Sequence, residues 1–517
     1  MPAKNTMPLS PYANETDKAF GPVLEKREQD WRNGSIVYQV IVDRFAPSSQ
    51  LKEKQALYAP PKKIRNWDET PTAGSYLKDV DVWSHEIDFW GGDLQSLTNK
   101  LDYIKNLGVD VLYLNPIHLG YTNHKYDALD YLTVSPDYGR REDVKKLADD
   151  VHRLDMKLVL DGVFNHMGRN SAVFQKALAN PKSPYRDWFH INDKYEHGYL
   201  GWADVANLPE LNLENKAVCA HIYADRDSVT QGYLRDGIDG WRLDVAYDLG
   251  FVFLDNLTRT AHQCKPGSLI IGEIWNYPKE WFPSVDGVMN FTAREIILCT
   301  LQGDIPATQA GEMFKRMIDD AGIEPILKSW LLLDNHDTKR LTNTLPKKWQ
   351  QRMAQVLQFT LPGSPNLYYG TELGMRGDDD PEQRAPMRWD LVTKENATLN
   401  WTRKLIRIRK QNRALRIGNF RLLTSKKLLA FERYTDRVGE SIIVVANPSA
   451  ENLSETIMLA NSKITQRSNM FELLSKNDSG FDVRSALLKI RIPAHTTMLF
   501  KPDIKPQKAY TPYKRMQ

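Results

Sequence analysis

The chain has little cysteine, little net charge and no long apolar run. Three cysteines in 517 residues, Cys219, Cys264 and Cys299, are too few and too far apart for a disulfide framework or a zinc cluster. Lys and Arg number 69 against 65 Asp and Glu, a formal charge of +4, and the two signs are mixed along the chain. Without a basic stripe, no nucleic-acid partner is expected. About 18 uninterrupted apolar residues would be needed to span a membrane, and none are found. The N-terminus, MPAKNTMPLSPYANETDKAFG, has no apolar core like that of a signal peptide. These absences lead to the expectation of a soluble, cytoplasmic protein with no membrane partner.

What is present is an alternation of apolar runs and amphipathic stretches. IVYQVIVDRF, residues 36–45, reads as a first strand. A Lys- and Pro-rich insertion then runs to about residue 88 and reads as a long loop, a kind that is often functional in a compact domain. Leu94, Leu97, Leu101, Ile104 and Leu107 recur at helical spacing, with Asp93 placed to cap the start and Gly108 to end it. VDVLYLNPI, residues 109–117, is apolar throughout, as a strand buried on both faces would be. A helix with Val144, Leu147, Val151 and Leu154 on one face follows. Strand, helix, strand, helix implies a parallel α/β architecture. The alternation breaks between about 167 and 213, an aromatic-rich excursion, and resumes until a helix near 398–412. Beyond Gly418, short β-like runs separated by turn residues imply an antiparallel β domain. Residues 1–35 are too short for a separate domain.

Four segments share one construction, an apolar strand ending in polar residues: KLVLDGVFNH (157–166), GIDGWRLDVAYD (237–248), SLIIGEIW (268–275) and SWLLLDNHDT (329–338). In a barrel of parallel strands such ends converge on one mouth. Arg242 and Asp244, two apart, share one face of their strand. An arginine there favours the charged form of the carboxylate beside it. An isolated RxD is more often a structural ion pair; its company points to chemistry.

These four segments, in this order, resemble the conserved regions of the α-amylase family of glycoside hydrolases, and the resemblance covers residues 36 to about 502. It implies a (β/α)8 barrel over 36–415, a small inserted lid domain at 167–213 after the third strand, a C-terminal β-sandwich over 418–502 and a tail at 503–517. It implies Asp244 as nucleophile, Glu273 as general acid/base and Asp337 as the carboxylate that grips and distorts the sugar. LPELN, residues 208–212, resembles the fifth family region. GEIW and RLDVA resemble the cyclomaltodextrinase and neopullulanase branch, without the extra N-terminal domain of that branch.

The same resemblance nominates substrate contacts. Tyr126 and Asp127, in HKYDALDY, match the stretch whose tyrosine stacks on the sugar at the cleavage point. Asp380 and Arg384, spaced as in DPxxR, match a loop that binds the next sugar. His166 and His336 sit beside carboxylates at strand ends, where a neutral imidazole can donate to sugar hydroxyls. Arg242 steadies the nucleophile. Tyr247, where starch-degrading relatives commonly carry lysine, and Trp275, two after Glu273, fall on the acceptor side. Asn165 matches a position that often ligates calcium, yet DRFAPSSQ lacks the Asn and Asp series of calcium-binding relatives, and Asp248 stands where a histidine often does. No obligatory metal or cofactor is expected, calcium through Asn165 being the exception to look for.

The implied activity is hydrolysis, with retention, of α-1,4 bonds in maltooligosaccharides or short dextrins, with α-1,6 bonds left open. The alternatives are an α-glucanotransferase or another family activity such as trehalose or sucrose chemistry and, from a different class, a catalytically inactive barrel used for binding. Retention of all three carboxylates with Arg242 speaks against the last. Oligomeric state is not legible in the sequence.

Overall fold

The computed structural model describes residues 10–466, 468–475, 481–506 and 510–516. The first nine residues of the N-terminal extension, and 507–509 and 517 of the tail, lie outside the described residues. Eight parallel strands close into a barrel: β1 Val37–Val40, β2 Val111–Leu114, β3 Lys157–Gly162, β4 Gly240–Leu243, β5 Leu269–Ile274, β6 Gly287–Asn290, β7 Trp330–Leu332 and β8 Ser364–Tyr368. Neighbours pair in chain order, and β1 closes the ring by pairing with both β2 and β8. The expected α/β barrel is present.

The barrel is filled by Val37, Val111, Tyr113, Val159, Ile271, Met289, Trp330 and Leu332, inward side chains from alternate positions. Outward residues of the same strands join the larger core under the helices. The stretch expected as one helix from Leu94 to Leu107 forms two, Leu94–Thr98 and Leu101–Leu107, because Lys100, at φ −109° and ψ 4°, leaves the helical well. Asp93 caps the first, accepting the Ser96 N–H, and Gly108 ends the second at φ 102°, a conformation that favours glycine. The helix anticipated before β3 spans Arg141–Arg153 and buries Val144, Leu147, Ala148 and Val151.

Residues 167–213 leave the barrel as short turns, one helix at Ala172–Ala179 and isolated bridges, among them His166 with Glu210 and Phe189 with Leu211. Past Gly418 the described strands form one antiparallel sheet of eight, from Asn419–Leu422 to Thr496–Pro502, with its own apolar core. The N-terminal helix Glu15–Gln29 spans neither unit alone. Its Arg27 donates to Glu324 in the barrel and to Ile417 O and Asn419 Oδ1 at the start of the sheet, while Asp17 pairs with Lys463. Among the described residues no helix is long and apolar enough to cross a membrane.

Candidate active site

The strand C-termini converge as parallel barrels require, and the pairing register decides what meets there. Arg242 of β4 lies directly beside Asp161 of β3 and Ile271 of β5. Asp244, two residues on, projects to the same side as Arg242. Arg242 is fully buried and donates to Asp161 at 2.8 Å and to Asp244 at 2.9 Å. Glu273, from the end of β5, lies 2.9 Å from Nη2 of the same guanidinium, out of line with its N–H bonds, so the contact is an ion pair rather than a hydrogen bond. Glu273 also accepts the Val245 N–H at 2.9 Å and the indole N–H of Trp275 at 3.1 Å. Val245 reaches Glu273 only by adopting φ 39°, strained for a β-branched residue.

Three carboxylates thus share one guanidinium. Burial pushes the Asp244 carboxyl well above the usual carboxylate range, and Glu273, Asp161 and Asp337 push the same way against the pull of Arg242. Asp161 is raised too, burial outweighing Arg242 and hydrogen bonds from Tyr113 and Tyr126. In the free site Arg242 alone therefore does not keep Asp244 as readily ionised as the sequence suggested. Burial presses Arg242 down, but Asp161 and Glu273 hold its pKa well above that of a free guanidinium.

His336 and Asp337 follow β7. The Gln39 amide donates to His336 Nδ1 at 2.9 Å, which leaves the proton of the neutral ring on Nε2, 2.5 Å from Tyr126 Oη and 3.1 Å from Asp337 Oδ2. Burial, with Arg384 and Arg242 nearby, drives the His336 pKa well down and keeps the ring neutral. Tyr126 lies parallel to that ring, centroids 5.3 Å apart. Arg384 donates to Asp337 Oδ1 at 3.2 Å and pairs with Asp380 at 3.1 Å. Although burial pushes Asp380 up, His85 at 3.2 Å and Arg384 hold it well below the usual range. His166 is 1% exposed and neither ring nitrogen has a protein partner; burial lowers its pKa to about 4, so it faces the cleft neutral.

A cleft of about 550 Å3 opens over these groups, within the range of ligand sites. Tyr126, His166, Asp244, Tyr247, Glu273, Trp275, His336, Asp337, Asp380 and Arg384 all line it, and Arg242 lies beneath. Trp275 is 45% exposed and stacks on Phe291 at 3.7 Å. Asp127 is not brought there. It is buried in a turn and accepts the N–H groups of Tyr121 and Thr122 and the Thr122 hydroxyl, because neighbours on an extended chain point opposite ways and Tyr126 takes the cleft side. Asn165 lies beside Glu210, its side chain directed at that carboxylate. Among the described residues no group of three or more His, Cys, Asp or Glu is placed to hold a metal ion.

Sequence reasoning missed much of the rim. Tyr76, Asp81, Trp83, Glu86 and His124 line the cleft from the insertion after β1 and the loop after β2, and Trp202, Val205 and Asn207 from the 167–213 excursion. Reading the insertion as a long functional loop covered Tyr76, Asp81, Trp83 and Glu86 without singling any out. An exposed-type tryptophan in a polar stretch was the available signal for Trp83.

The comparisons agree with this geometry. Residues 39–396 match the family model described as alpha amylase, catalytic domain. The chain is 32% identical over 454 residues to a cyclomaltodextrinase of Thermoanaerobacter pseudethanolicus, covering 85% of this chain and 73% of that protein. Among solved structures, the cyclic alpha-maltosyl-(1→6)-maltose hydrolase of Arthrobacter globiformis is 26% identical at a TM-score of 0.76, covering 92% of this chain and 99% of that one. The debranching enzyme of Nostoc punctiforme is 28% identical at a TM-score of 0.76, over 91% of this chain and 99% of that one. With its barrel matched by the family model and its length matched by these enzymes, the chain belongs to the α-amylase family of glycoside hydrolases.

Proposed function

We propose that the protein hydrolyses α-glucosidic bonds of maltooligosaccharides or short dextrins with retention, through a covalent glycosyl-enzyme. The observation that carries this reading is the single guanidinium of Arg242 joining Asp244 and Glu273 from adjacent strands at the floor of one cleft. Two carboxylates held by one guanidinium lie near each other, which favours the retaining arrangement, in which about 5–5.5 Å separates nucleophile from acid. The names of the relatives, which refer to maltodextrins and maltosyl sugars, support α-glucan oligosaccharides as the substrate class.

In this reading Asp244 attacks the anomeric carbon while Glu273 delivers a proton to the leaving oxygen. The excess negative charge around Arg242 gives the cluster reason to retain one proton. That proton is the one Glu273 delivers, so Asp244 attacks as the anion, and the oxocarbenium-like centre forming above it compensates the charge that burial disfavours. Tyr126, its ring parallel to that of His336 and edge to edge with it through the hydroxyl, presents a ring face to the sugar. Asp337, His336 and His166 bind its hydroxyls, and Arg384 holds Asp337 in place. Glu273 next acts as base toward water. Trp275 and Tyr247 form an aromatic platform on the leaving-group side, where a second sugar in place of water would give transfer instead.

Proton NMR of maltoheptaose turnover tests the reading. Shorter sugars appearing first as α-anomers, and lost in Glu273→Gln and Asp244→Asn, are expected. Initial β-anomers would overturn retention, products longer than the substrate would favour transfer, and no turnover would remove the glucan assignment.

A further inference from the structure

The barrel order fixes which side of the cleft is which. β1 and β5 are diametrically opposed in the ring of eight. Glu273 and Trp275 follow β5, so the leaving group lies toward them and the sugar that becomes bonded to Asp244 extends toward the loops after β1 and β8. That side is not open. A small antiparallel hairpin, Tyr76–Leu77 with Val82–Trp83, rises from the insertion after β1 and turns Tyr76 and Trp83 onto the cleft, 44% and 48% exposed.

The hairpin is pinned on three sides. Asp81 at its tip forms an ion pair with Arg169 of the excursion after β3. His85, just past it and 6.1 Å from the Trp83 ring, holds Asp380 of the loop after β8 at 3.2 Å. Glu86 meets His124 of the loop after β2 at 3.3 Å and its carbonyl accepts the Asn123 N–H. A loop held by three neighbours that belong to different strands is part of the wall rather than a free flap.

Resting on the proposed glucan hydrolysis, we propose that this hairpin, led by Trp83, closes the glycon side of the cleft. The enzyme therefore removes one short unit of fixed length from the non-reducing end of a linear α-glucan instead of cutting within chains. The sugar ahead of the cleaved bond and its immediate neighbour fit between Tyr126 and the wall, and the rest of the chain leaves over Trp275 and Tyr247. A closed ring has no non-reducing end and must run out on both sides, so the wall also selects linear chains over cyclomaltodextrins.

The test uses maltopentaose, maltohexaose and maltoheptaose labelled at the reducing end, together with a cyclomaltodextrin. The wild type is expected to give one unlabelled product of the same length from all three, and to open the ring more slowly than it cuts the linear chains. Trp83→Ala, and Arg169→Ala as a second variant that frees the hairpin tip from the far side, are expected to broaden the first products to several lengths and to raise ring opening relative to linear cleavage. Unchanged melting of the variants separates this shift from unfolding. First products of several lengths from the wild type, ring opening as fast as linear cleavage, or an unchanged product pattern in both variants would each overturn the wall while leaving glucan hydrolysis standing. No cleavage of any α-glucan by the wild type would remove the proposed function, and this inference with it.

Discussion

Arg242, Arg409 and Arg433 are all completely buried, yet they do opposite things. Arg242 is ringed by carboxylates at the mouth of the barrel. Among the described residues Arg409, on the helix Ala397–Gln411, donates to carbonyl oxygens alone, those of Gly34, Phe359 and Gly363. Arg433, on the strand Leu429–Tyr434, likewise reaches the carbonyls of Thr360, Leu415 and Gly418. Burial and the neighbouring Arg416 bring Arg409 down to about 9, which still leaves it charged at neutral pH. Burial, with Arg409 and Arg27, also presses Arg433 well down. Thr360 and Phe359 stand at the end of one helix, where carbonyls would otherwise lack partners; Arg409 ties its own helix to the barrel there, and Arg433 staples the barrel to the C-terminal sheet. The same cation among carboxylates leaves the cluster with more negative charge than it can neutralise. One arrangement is spent on cohesion, the other holds electrostatic tension where bonds are to be broken.

The sharpest way to break the comparison is at the nucleophile. Asp244→Asn should lower kcat on a maltooligosaccharide by a factor on the order of 10^4 or more, as loss of a member of a catalytic unit does. It should at the same time raise the unfolding midpoint at neutral pH. The sign follows from the raised folded-state pKa: above the ordinary carboxylate range the folded protein binds more protons than the unfolded chain, so stability falls as pH rises through that window. The stabilisation by Asn should therefore shrink as pH drops toward the ordinary carboxylate range, and urea melts of both proteins across pH measure it. A variant no more stable than wild type at neutral pH would end the claim of tension.

Arg433→Met should do the reverse. Leaving the Thr360, Leu415 and Gly418 carbonyls unpaired is expected to cost about 3 kcal/mol or more, at about 1–3 kcal/mol per stranded group. The kcat of the folded fraction should be unchanged, and a fall in kcat at unchanged stability would contradict the staple. Next in size, His166→Ala should lower kcat/KM about 10^2-fold, with a smaller fall in melting from the lost packing of its buried ring on Trp202. The smallest effect is expected from Asp127→Asn, about 1–2 kcal/mol of stability from its weakened turn, with KM unmoved. A KM shift there would return Asp127 to the cleft.

Much of the floor of the site was legible because the information is local. Each of four apolar runs ends in a carboxylate or histidine, and a two-residue spacing puts Arg242 and Asp244 on one side. The barrel and the antiparallel sheet followed from changes of period. Register was not legible: nothing in either segment says that Arg242 lies beside Asp161 rather than a residue away. Nor was the rim, since the place of Trp83 is set by pairings such as His85 with Asp380, whose partners lie far apart along the chain. Asp127 turns away for a simpler reason: nearness in sequence to Tyr126 is not nearness in space, since adjacent side chains on an extended chain point opposite ways. The Val245 N–H that holds Glu273 belongs to the backbone and leaves no mark in composition.

The closure of β1 onto β8 has a consequence in time. Val37 pairs with Asn366, so on the ribosome one edge of the first strand waits for the last. At about 5–20 residues per second the wait is roughly 15–65 s. For that interval a row of backbone donors and acceptors on an apolar strand is open to any other chain, which makes synthesis rate and early chaperone contact the conditions that decide how much of this protein reaches its native state.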